Sequence, residues 1–168
     1  LTLIYDGLYD LTKDNIYLDK QMGILLGLKK FSNAIAVIKK YKYKEDELPQ
    51  IYAANGDFDE AIKVADEFYE STKNADFKSK AAIYRYEKFG SKINKNELEK
   101  VVSDFEISAT QTDNDLYLNY YGYLLIDHDL NVQKGIDLVN IALKKEPNSP
   151  FYLDSLAWGY YKLNKCKI

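Results

Sequence analysis

Apolar residues recur along this chain at helical spacing with little interruption. Positions 1, 4, 5, 8, 9 and 11 follow the i, i+3, i+4, i+7 rule of an amphipathic helix, and no stretch alternates as a strand would. The same pattern predicts helices over Ile16–Leu28, from Phe31, over Asp46–Ala54, from Asp57 to Ser71, from Asp76 to Gly90, and beyond Asn94. A further pair opens at Thr112–Asp115 and another at Ser149–Pro150, for ten helices and an all-α chain.

Local punctuation agrees with that division. Proline inside a helix costs ~3 kcal/mol but is tolerated in the first turn, so Pro49 marks a start. Asn55-Gly56 supplies a left-handed stop, and Gly90 ends a later helix. Asp57 with Glu60, and Asn94 with Glu97, have the spacing of capping boxes, and Ser149 precedes Pro150 as cap and first helical residue. Inward stripes are expected at Ala61, Ala65 and Phe68, at Ala82, Ile83 and Tyr86, and at Leu98, Val102 and Phe105. Gly23 and Gly27 lie in a helix too short and polar for a membrane dimer motif, and are expected to let a neighbouring helix approach.

The last third of the chain begins to repeat itself. Leu118, Tyr121, Gly122 and Leu125 are echoed by Leu153, Leu156, Ala157 and Tyr160, with Gly135, Val139, Ala142 and Pro147 between them. Earlier, Leu28, Phe31 and Ala34 stand in the same register. This resembles the tetratricopeptide repeat, a helix-turn-helix unit of about 34 residues with small residues where its two helices touch. The resemblance implies a single right-handed superhelical solenoid over residues 1–168, clearest over 112–165, intermediate over 28–71 and weakest over 76–110. Ala34 and Ala61 are only 27 residues apart, so one connection is short, and Leu98 and Phe105 replace small residues in the weak unit.

The chain starts at Leu1, and Ile168 falls where the last unit would enter its second helix, so the sequence reads as an excerpt of a longer protein. The helix from Pro150 to Lys165 would then leave Leu153, Leu156, Tyr160 and Leu163 uncovered, and self-association through that end is expected. The resemblance is nearest to bacterial members, some of them periplasmic or attached to the outer membrane.

Composition narrows the function by exclusion. Net charge is −3 with both signs interspersed, so no basic stripe exists for nucleic acid. No run approaches the roughly 20 apolar residues of a membrane span. His128 is the only histidine, expected exposed in a turn with Asp127 and Asp129, which as chain neighbours converge poorly on one metal ion. Cys166 is the only cysteine, and no histidine stands by to activate it, so acyl transfer is not expected. The pairs Asp57/Asp59 and Asp113/Asp115 sit at helix starts, where carboxylates suit the dipole. No catalytic residue, metal or cofactor is therefore expected.

Aromatic residues are the informative group, once the 16 tyrosines are discounted for a genome rich in A and T. Tyr86, Tyr121 and Tyr160 are expected to face the core. Tyr84, Tyr123 and Trp158 each lie two residues past a core position, in the same phase of successive units. The resemblance places them along a concave groove, with Lys80, Asn119 and Asp154 one turn earlier. This aromatic ladder is the expected partner-binding site of a non-catalytic scaffold for a peptide or protein. The alternative is an architectural spacer for a catalytic or membrane-anchored part elsewhere in the protein.

Cochaperone members of the family clamp a C-terminal carboxylate with Lys and Asn at fixed first-helix positions. The matching sets here are Asp19/Gly23/Gly27, Asp46/Gln50/Ala54, Lys80/Tyr84/Lys88, Asn119/Tyr123/Asp127 and Asp154/Trp158/Lys162. None forms that clamp. Titration with an acidic C-terminal peptide is expected to show no saturable binding that depends on its free carboxylate, and tight carboxylate-dependent binding would refute this.

Overall fold

The computed structural model describes residues 2–163. They form ten helices joined by short turns: α1 Thr2–Thr12, α2 Ile16–Gly27, α3 Phe31–Tyr41, α4 Leu48–Ala54, α5 Phe58–Thr72, α6 Asp76–Phe89, α7 Lys95–Ala109, α8 Asp115–Asp127, α9 Val132–Lys145 and α10 Pro150–Lys162. Short 3₁₀ turns precede α4 and α7, and no strand occurs among the described residues. Each helix packs on the next, and α8 also packs directly on α10. Cys166 lies outside the described residues.

Most boundaries have local causes. Pro49 sits in the first turn of α4, and Gly56 follows that helix at φ +87°. Asn94 accepts from the Glu97 amide at 3.0 Å, satisfying one of the free N–H groups that open α7. Two expected caps do not form. The Asp57 carboxylate takes the Asn55 side-chain amide at 2.6 Å instead, and Ser149 caps α10 without a side-chain hydrogen bond. Five lysines (13, 29, 42, 44 and 73) adopt the left-handed backbone usually left to glycine.

The interior is a chain of three apolar clusters. The first joins α2 to α6 through Leu18, Leu25, Ala34, Ile38, Ile51 and Ala61. The second joins α6, α7 and α8 through Ala82, Val101, Phe105, Tyr121 and Leu124. The third joins α8, α9 and α10 through Leu118, Ile126, Ile136, Val139 and Tyr152. In α7 Val101 and the expected Phe105 are fully buried, while the expected Leu98 and Val102 are half-buried.

Between the first two clusters Ile83 packs against both, and an ionic network lies alongside. Lys78 Nζ lies 2.8 Å from Asp66 and 3.1 Å from Asp104, and Arg85, the chain's only arginine, lies 3.6 Å from both carboxylates and 3.8 Å from Glu97. This network ties α5 and α6 to α7, the helix in which Leu98 and Phe105 replace small residues. Burial raises the Asp104 pKa despite the opposing charges of Lys78 and Arg85.

The closest helix packing is between α8 and α9. A methyl group on Gly122 would lie 2.7 Å from the Gly135 carbonyl oxygen and 2.8 Å from Val139 Cγ2; one on Gly135 would lie 2.6 Å from the Gly122 oxygen. Gly159 of α10 is similarly pressed against Ile136. Gly23 and Gly27 meet nothing within 4 Å, which corrects the expectation of a close approach there.

These environments predict opposite effects of one substitution. Gly122→Ala should lower the unfolding free energy by about 1–3 kcal/mol, the usual cost of overpacking. Gly23→Ala, in open space, should raise it by about 0.5–1 kcal/mol by restricting the unfolded chain. Urea unfolding followed by circular dichroism reads both; equal shifts would contradict the packing described.

Candidate functional site

The expected site residues lie on α6, α8 and α10, and helical spacing sets which of them share a face. At 3.6 residues per turn, Lys80, Tyr84 and Glu87 align on α6; Tyr120, Tyr123 and Asp127 on α8; and Asp154, Trp158 and Tyr161 on α10. Asn114 holds the start of α8 by accepting from the Leu116 and Tyr117 amides at 3.0 and 3.3 Å.

The α6–α8 seam is aromatic. Tyr86 meets Tyr120 edge-on, with ring centres 6.3 Å apart, and meets His128 in the same way at 5.6 Å. Tyr86 Oη and His128 Nε2 share a hydrogen bond at 3.0 Å. The histidine is therefore a half-buried partner of α6 rather than an exposed turn residue, and no group of three metal-ligating side chains occurs among the described residues. Tyr120 also stacks on Phe105 of α7.

The α8–α10 seam is a row of polar clips. Tyr152 donates to Asp115 at 2.8 Å and Trp158 Nε1 donates to Asp127 at 3.1 Å. Lys162 donates to Asp129 at 2.7 Å and lies over the Trp158 ring, which stacks on Tyr161 at 5.2 Å. Asp115 thus serves a cross-helix bond as well as its own helix start.

The ladder is only partly presented to solvent. Tyr84 is 9% exposed and belongs to the first apolar cluster, and Asn119 is also 9% exposed, its Oδ1 without a partner among the described residues. Both were expected on an open groove; packing in the first apolar cluster covers Tyr84, and Asn119 is buried on α8. Tyr123, Trp158 and Lys80 are half-buried, and Asp154 is exposed. Tyr160, expected in the core, is 40% exposed, as is Leu153 at 47%, while Leu156 and Leu163 pack against the third cluster.

Electrostatics locate these groups relative to one another. Burial raises the Tyr84 phenol well above 10, with the nearby Tyr117 and Glu87 charges adding to it. Burial likewise raises Tyr120, again with Glu87 close by. Glu87 is exposed as a residue, yet desolvation of its carboxyl lifts it above the ordinary glutamate value. Tyr123 is raised first by burial, then by the charges of Asp127 and Asp154. Trp158 thus bonds to Asp127, whose charge and that of Asp154 act on Tyr123, whereas Tyr84 responds to Glu87.

Two cavities lie on the other side of the molecule. One, of 390 Å³ between α7 and α9, is floored by Tyr121 and Leu125. The other, of 480 Å³ between α3 and α5, is floored by Leu48 and Tyr52. Sequence reasoning missed the first because it assigned Leu98 and Val102, which line it, to the core. None of the described helices is long and apolar enough to cross a membrane. Neither a scan against protein-family models nor a search of curated proteins finds a match to this chain.

The buried phenols give the site a pH signature. Unfolded tyrosine loses its proton near pH 10, whereas folded Tyr84 and Tyr120 retain theirs. Their contribution to stability is complete below about pH 10 and is lost as pH rises through the folded values. Urea midpoints should fall steeply above about pH 10, and less steeply in Tyr84→Phe/Tyr120→Phe. Identical slopes would place both phenols in solvent.

Proposed function

We propose that this chain is a non-catalytic scaffold of tetratricopeptide-like helical hairpins, wound as a right-handed solenoid, and that its even-numbered helices hold a peptide or one face of another protein. The observation that carries the reading is the shared stripe on α6, α8 and α10, where an aromatic ring recurs beside a carboxylate in matching helical phase. Further support comes from buried small residues at the repeat's contact positions: Ala34, Ala61 and Ala142 are fully buried, and Gly122 abuts Gly135. Rigid rings suit binding because they offer large area for few rotors.

A second reading, in which the helices space or orient another part of the same protein, draws on one specific observation. Trp158 spends its indole N–H on Asp127 and one ring face on Tyr161, as a structural clip would.

Photo-crosslinking separates the two. A benzophenone side chain placed at Tyr123 should capture a partner in cells, while the same group at exposed Lys63 of α5 should not. Tyr123→Ala should weaken the purified pair at least tenfold, about 1.4 kcal/mol, without changing the melting temperature. Equal capture at both positions, or none at Tyr123, would favour the spacer.

A further inference from the structure

We propose that Asn55 is a site of spontaneous covalent modification, losing its side-chain amide through a succinimide formed with Gly56, and that the acid produced unfastens the α4–α5 turn. Asn55-Gly56 is the only Asn-Gly dipeptide in the chain, and both residues are exposed. Gly56 stands at φ +87°, and a methyl group there would meet nothing within 4 Å, so no neighbour crowds that side of the residue. In the folded backbone Asn55 lies at ψ −9° and the Gly56 N–H donates to the Ala53 carbonyl at 2.9 Å. The nitrogen is freed when the last turn of α4, a helix of seven residues, frays. It then attacks Asn55 Cγ: the N–Cγ bond forms, the Cγ–Nδ2 bond breaks, and the Gly56 proton passes through water to the departing ammonia. Water next opens the ring. Breaking the N–Cγ bond gives aspartate, and breaking the bond from that nitrogen to the Asn55 main-chain carbonyl carbon gives isoaspartate.

The hydrogen bonds at this turn show what the change undoes. Asn55 Nδ2 donates to Asp57 at 2.6 Å, and Ser32 Oγ of α3 lies 3.4 Å from Asn55 Oδ1, so one side-chain amide joins the end of α4 to the start of α5 and reaches α3. An ionised carboxyl group in its place has no proton to donate and faces Asp57 with like charge. It also adds negative charge at the C-terminal end of α4, where the helix dipole is already negative. The start of α5 attracts that charge, but it already holds Asp57, Asp59 and Glu60.

The test is incubation of the purified, folded chain at mildly alkaline pH, followed by peptide mapping with mass spectrometry. Asn55 should convert from amide to acid several times faster than exposed Asn148, which precedes Ser149. Aspartate and isoaspartate should both appear, the mark of a ring intermediate. Asn55→Asp, which stands for the product, should melt about 2 °C below the unmodified chain. Asn55→Asp/Asp57→Asn, which again sets a donor opposite an acceptor, should recover that loss. Conversion at Asn55 no faster than at Asn148, or aspartate without isoaspartate, would overturn the modification. An Asn55→Asp variant that melts unchanged, or a double variant no more stable than the single one, would overturn the unfastening.

Discussion

The contact on which the second half of the molecule depends is backbone against backbone. At Gly122 and Gly135 the axes of α8 and α9 come so close that neither position has room for a methyl group. Val139 then lies against Gly122 and Ile126 against Gly135, and Ile126 and Ile136 together receive Gly159 of α10. Dispersion falls off steeply with distance, so a gap of an ångström here would forfeit much of the third cluster. Three helices are locked by three missing side chains.

The middle of the chain uses a different device. Where α5, α6 and α7 meet, Ala65, Ala81 and Ala82 are fully buried, α7 contributes Leu98 and Phe105 instead of small residues, and an ionic network bridges the three helices. Removing one partner of such a network would leave another charge uncompensated in a largely buried place. Together the two devices align α6, α8 and α10 closely enough for Tyr86 to reach His128 and Tyr152 to reach Asp115. The aromatic and acidic face results from that alignment rather than from any one helix.

Much of the architecture was legible in the sequence. Periodicity located all ten helices, Pro49 and Gly56 bounded α4, and the small residues at 34, 61, 122 and 135 marked real contacts. What failed depended on partners remote in the chain. His128 looked free because Tyr86 is 42 residues away. Helical phase gave the direction of Tyr84 but not the depth to which its neighbours would cover it. Tyr160 has the spacing of a core residue, yet no described element packs over it. Gly23 and Gly27 looked like Gly122 because composition cannot distinguish a glycine under a neighbouring helix from one facing open space.

The most direct test of this account is whether the α8–α9 contact exists in solution. In an isotope-labelled sample, nuclear Overhauser effects should connect the Gly122 Hα protons with a Val139 γ-methyl, and the Gly135 Hα protons with the Ile126 δ-methyl. Finding both would establish the close crossing of α8 and α9 on which the third cluster is built. Their absence, in a sample whose amide shifts still report both helices, would show that α8 and α9 stand apart and that the face described is not held in place.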